Sequence, residues 1–105
     1  MLGNFLNKKM MGKMEEMQKQ VAEIKERLNN IQVIGEAAEG NIRVIANGNR
    51  LIHDIIVNEE WKNTVSASEL ANELKTACNR ALEQAERVEQ AEMSHAAMGM
   101  LPNMK

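Results

Sequence analysis

The sequence predicts an α+β fold in the order helix, three-stranded antiparallel meander, helix (α-β-β-β-α). Three observations carry this expectation. Apolar residues recur at Met10, Met14, Met17, Val21, Ile24, Leu28 and Ile31, a sustained alternation of four and three that marks a helix with a seam for another helix. β-Branched residues then dominate from Ile31 to Val57, punctuated by Glu39-Gly40 and Asn47-Gly48. Finally, Ser66 and Glu69 form a capping box ahead of a second apolar stripe, with hydroxyl and carboxylate reciprocally serving backbone N–H groups at a helix start.

The first helix is expected over about residues 7–29. Its outer face carries Glu15, Glu16, Lys19, Glu23 and Glu26, and Glu15 stands to Lys19 in the favourable i,i+4 order. Asn29-Asn30 ends it, because neither residue favours a helix interior. Strands follow over about 31–38, 41–46 and 50–57. Asn47-Gly48 between two β-branched runs signals a type I′ hairpin turn, whose central residues need positive φ, and Glu39-Gly40 makes the first turn by the same logic.

Isoleucines fall on both faces of this meander. Val33, Val44 and Val57 need one cover, and Ile34, Ile45, Ile52 and Ile56 need a second. A chain of 105 residues that has nine methionines, and only Phe5 and Trp61 as aromatics, is poorly supplied for both. A second copy of the chain is the expected remedy, with Ile34, Ile45, Ile52 and Ile56 at the dimer interface.

Between Asn58 and Val65 the connection is largely polar, and Trp61 is expected to plug the corner between sheet and helix. The second helix is expected over about 67–93. Its inner stripe is Ala67, Leu70, Leu74, Ala77, Ala81, Ala85 and Val88, mostly small side chains that permit close approach. Gly99 and Pro102 interrupt the remainder, so residues 94–105 are expected to form a flexible tail. Residues 1–93 then make a single domain.

Little in the chain points to chemistry. Cys78 lies among Leu74, Ala77 and Leu82 and reads as a small buried hydrophobe that is inert until the protein unfolds. His53 and His95 have no accompanying ligands at metal-site spacing. Ser66, Ser68 and Ser94 belong to no visible Ser-His-Asp pattern, and no glycine precedes a Lys-Ser or Lys-Thr pair as a phosphate loop requires. Neither an enzyme nor a cofactor, metal or small-molecule substrate is expected. Leu2, Phe5 and Leu6 are interrupted by Gly3, Asn4 and Asn7, too short a run for a secretory leader or a membrane span, so a cytoplasmic location is expected.

The charge balance is 13 basic to 15 acidic residues, a net of −2, which excludes the strongly basic composition that identifies many nucleic-acid binders. Distribution is more informative. Lys8, Lys9 and Lys13 precede the first acid, Glu15, whereas the region from Ser66 onward holds four basic and six acidic residues.

The stretch Gly35-Glu36-Ala37-Ala38-Glu39-Gly40, then Ile42 and Val44 bracketing Arg43, then Asn47-Gly48, resembles the strand region of the YbaB/EbfC family of bacterial nucleoid-associated proteins. So do Ala77, Asn79 and Ala81, the closing Met93, Gly99-Met100 and Leu101-Pro102, and the opening Gly3-Asn4 before a methionine-rich helix. The resemblance covers nearly the whole chain. It implies an α-β-β-β-α fold, a tweezer-like homodimer, and DNA binding in the cytoplasm and nucleoid with a role in nucleoid organisation and gene expression. Two positions depart from the family pattern: Asn58-Glu59 replaces a frequent Asp-Pro, and Trp61 stands where an aliphatic residue is usual.

That pattern does not fix basic residues, so candidate DNA contacts come from the charge distribution. Lys8, Lys9 and Lys13 are the first candidates for phosphate contacts, and Lys19, Arg80 and Arg87 the weaker ones. A dimer brings two sets together. The competing expectation is a coiled-coil chaperone or adaptor similar to prefoldin, gripping clients with its methionines. An odd number of strands argues against that, since prefoldin subunits build hairpins from strand pairs.

Overall fold

A computed structural model describes the backbone from Leu2 to Met100 and the side chains from Gly12 to Gly99. Helix α1 spans Leu2–Asn29, strands β1, β2 and β3 span Gln32–Ala37, Ile42–Asn47 and Ile52–Val57, a short α2 spans Glu59–Lys62, and α3 spans Ala67–Met100. The strands form one antiparallel sheet in sequence order, as expected. Three features differ from expectation, the first being that α1 begins at Leu2, about a turn and a half before the expected residue 7. The last helix runs past Met93 to Met100 because Gly99 is tolerated in the final turn of an otherwise alanine- and methionine-rich segment, and this takes in most of the stretch expected to be a tail. The connection after β3 contains α2, capped by Asn58, whose Oδ1 accepts from the Glu60 N–H at 3.0 Å.

Both turns differ from the sequence reading. Ala38, Glu39 and Gly40 all take positive φ, at 53°, 57° and 87°, so the first turn is a three-residue left-handed segment. Asn41 holds it, donating its backbone N–H at 3.0 Å and Nδ2 at 2.7 Å to the Ala38 carbonyl. In the second turn Arg50, not Asn47 or Gly48, has positive φ, at 66°. Asn47 instead belongs to β2 and is 1% exposed, and the loop between the strands is four residues long, from Gly48 to Leu51.

Residues Val33, Ala37, Ile42, Val44 and Ala46 of the sheet bury themselves against Ala77, Ala81 and Ala85 of α3. These alanines recur every fourth residue and form the stripe centre. Ala67 is exposed at the start of α3, and Leu70, Leu74 and Val88 are half-buried around the core. Trp61 packs there too, filling the corner as expected. Cys78 lies half-buried at the margin, one residue off the stripe, and so is less enclosed than the sequence reading assumed.

Helix α3 packs on β1 and β2. Strand β3 is left with Leu51 before it and Ile52, Ile55 and Ile56 within it at 41–57% exposure. The contact on β1 is made at Gly35, where an added Cβ would collide with the Ala77 carbonyl and with the backbone of Ala81. Backbone touches backbone there, so neither side yields by a rotamer change. Gly35→Ala is therefore expected to destabilise the fold by about 3 kcal/mol or more. Urea unfolding checks this, and a midpoint within error of wild type would contradict the assigned contact.

Candidate nucleic-acid interface

Among the described residues the α1 seam is buried only at its C-terminal end, where Ile24 and Leu28 are 5% and 2% exposed. Met14, Met17 and Val21 are 58%, 56% and 44% exposed. The helix is thus an arm of a molecule that measures 74 × 31 × 19 Å overall, and its direction depends on how that one end is held.

The β2–β3 loop holds it. Asn47 Nδ2 donates to Asn29 Oδ1 at 2.9 Å, while its Oδ1 accepts from the N–H groups of Asn49 and Leu51 at 2.9 and 3.1 Å. Gly48 N–H donates to the Leu28 carbonyl at 2.8 Å, and Asn49 Nδ2 donates to the Lys25 carbonyl at 2.9 Å. Gly48 is required by proximity, because a Cβ there would lie 2.9 Å from Leu28 Cδ2 and from its carbonyl oxygen. Ion pairs add to the anchor: Arg27 Nε lies 3.2 Å from Glu92 on α3, and Arg50 Nη2 3.1 Å from Glu89.

From this anchor α1 runs antiparallel to the distal half of α3. Arg27 meets Glu92, while Met17, Val21 and Ile24 line a groove with Met93, Ala96 and Ala97. Gln20 shares a second groove with His95 and Gly99. Lys13, seven residues further out, is about 10 Å beyond Gln20 by helical rise.

Of the cations expected from the sequence, Lys13 and Lys19 are exposed on the α1 arm. Lys8 and Lys9 belong to the same helix, and their side chains lie outside the described residues. Arg80 and Arg87, seven residues apart, are exposed on one face of α3. The structure brings those two arginines together but leaves them apart from Lys13. Arg87 is twelve residues back from Gly99, about 18 Å in the opposite direction.

Their surroundings differ as well. Arg80 Nη1 donates to the Glu36 carbonyl at 2.8 Å, which ties it to β1, and Arg80 and Arg87 share their helix with Glu83, Glu86, Glu89 and Glu92. The ion pairs among the described residues take up Arg27, Arg43 and Arg50. The expected Glu15–Lys19 pair is not one of them. Sequence reasoning gave Asn47 only a turn role. Its burial was the missed feature, and an Asn-Gly signal does not distinguish a turn residue from a buried bracket.

The residues expected at a dimer interface divide into two sets. Ile34 and Ile45 are cross-strand partners on the face away from α3, and Ile56 stands on that face opposite Arg43. Ile34 and Ile56 are 49% and 47% exposed, and Ile45 is half-buried. A register shift next to Ala46 inserts His53, so Ile52 stands opposite Ala46 and departs from the alternation read in the sequence.

Among the described residues no three His, Cys, Asp or Glu gather as a metal site, and no helix is long and apolar enough to cross a membrane. This is a small α+β domain that lays one helix on a three-stranded meander and extends another as an arm. Residues 3–100 match the model of the YbaB/EbfC DNA-binding family, and the chain belongs to that family. It is a DNA-binding, nucleoid-associated family and not one of enzymes. The fold is similar to the crystal structure of an uncharacterized protein, HP0035, from Helicobacter pylori, with a TM-score of 0.63 and 16% identity over 84% of this chain and 98% of that one.

The Asn47 bracket generates a test. Asn47→Ala leaves the Asn49 and Leu51 N–H groups and Asn29 Oδ1 without their partner, which is expected to lower stability by about 2 kcal/mol. Thermal unfolding measures the loss, and an unchanged midpoint would remove Asn47 from the anchor.

Proposed function

We propose that this chain binds duplex DNA in the cytoplasmic nucleoid as a homodimer. It holds DNA mainly by the phosphates, organising the nucleoid and influencing gene expression. Membership of a DNA-binding family is the observation that carries the reading. Lys8, Lys9 and Lys13 are its primary contacts, because they stand on the arm before its first acid. Lys19 extends this set along α1. Arg80 and Arg87 are secondary, since four glutamates on the same helix repel phosphate around them.

Two copies supply six of the primary lysines. If about four to six phosphates are engaged, log K falls with log salt at a slope of about −4 to −5, with little preference among sequences. Gel shifts of unrelated duplexes across a salt series check both. Replacing Lys8, Lys9 and Lys13 with Glu is expected to abolish binding, and wild-type affinity in that variant at equal salt would move the site to Arg80 and Arg87.

In this reading the copies join through the uncovered face bearing Ile34, Ile45 and Ile56, together with Ile52 on the exposed strand. Exposed isoleucines around a single-helix cover support it. Ile34→Asp and Ile56→Asp place an unpaired charge in such an interface and are expected to halve the mass seen by light scattering. A monodisperse wild-type monomer at micromolar concentration would refute the dimer.

A further inference from the structure

We propose that the exposed stretch of the α1 seam, with the Met93 end of α3, is a docking groove for an acidic amphipathic helix of a partner protein. The spacing of the seam defines the shape of its occupant. Met14, Met17 and Val21 continue the 4-3 alternation of Ile24 and Leu28, and such a row offers holes for the knobs of another helix. Ile24 and Leu28 have their cover, but Met14, Met17, Val21 and Met93 are 44–58% exposed.

Between the two helices runs a mostly apolar groove of about 170 Å³, lined by Met17, Gln20, Val21 and Ile24 of α1 and by Met93 and two alanines of α3. An apolar space of about 150 Å³ is enough to hold a benzene-sized group, so one leucine or phenylalanine side chain fits as an anchor. Methionine suits the role because its unbranched, polarizable chain adapts to different knobs.

Charge selects the partner. The heptad positions flanking the seam are Met11, Lys13, Gln18, Gln20, Lys25 and Arg27, none of them acidic, while Glu15, Glu16, Glu23 and Glu26 occupy the far face. Flanking positions govern which helices pair. At the covered end the rule is already visible: Arg27 takes a carboxylate from Glu92 on the helix beside it. A third helix with glutamates or aspartates along its apolar stripe would satisfy Lys13 and Lys25 in the same way. The α1 of a second copy would bring only further cations, glutamines and a methionine to these positions, and no carboxylate.

The test uses the full chain and a synthetic 21-residue helix with leucine at every seam position and glutamate at every flanking one. A control peptide carries lysine at the flanks. Fluorescence anisotropy is expected to show the glutamate peptide bound at least tenfold more tightly than the control. Met17→Asp with Val21→Asp should abolish binding of both, with folding verified by circular dichroism. Independently of that variant, Lys13→Glu with Lys25→Glu should reverse the preference between peptides. Equal affinity for the two peptides, or a preference unchanged by the charge reversal, would overturn the proposal. So would a wild-type mass that falls by half in the Met17→Asp, Val21→Asp variant, since the seam would then belong to a second copy.

Discussion

The backbone contact between α3 and β1 at Gly35 sets the dimensions of everything around it. With no side chain at Gly35 and only methyl groups at Ala77, Ala81 and Ala85, the helix descends onto the sheet. A helix about 10 Å across covers little more than two strands spaced about 4.8 Å apart. Two strands are therefore roofed and the third is not. The exposure of Ile52 and Ile55 on β3 follows from this width mismatch, as does a meagre core in which three buried alanines meet five sheet residues. A chain so constructed leaves more apolar surface uncovered than its size requires.

The order of elements was legible because each depends on local pattern: the 4-3 spacing of α1, the β-branched runs, and the Ser66 cap, whose hydroxyl accepts from the Glu69 N–H at 3.1 Å. Features set by contacts distant in sequence were not. Gly48 looks like a turn glycine in its neighbourhood but is demanded by Leu28, twenty positions earlier. The shift at His53 has no composition signal, and it alone moves Ile52 off the alternation. The α1 pattern read as a packed seam, yet pattern reports what a helix can pack against and not how far its neighbour extends. For the candidate interface, sequence separated basic from acidic segments, whereas the distance between Lys13 and Arg87 required the antiparallel path of the helices.

Charge is segregated along this molecule. The distal half of α3 is rich in glutamate, two of which are tied to Arg27 and Arg50. The beginning of α1 is basic in sequence and precedes every acid in the chain. A small net negative charge thus conceals an uneven distribution along the sequence.

The Asn47 bracket is also a fulcrum. From Leu28 to Lys13 the arm extends fifteen residues, about 22 Å, while its fixed end is held by a handful of hydrogen bonds around one loop. Rotation of 10° at that loop would sweep Lys13 through about 4 Å, given the helical rise. The reach of the arm is thereby governed by asparagines fifteen or more residues from Lys13. Stiffness at Asn29, Asn47 and Asn49 therefore sets how far the exposed length of α1 can swing.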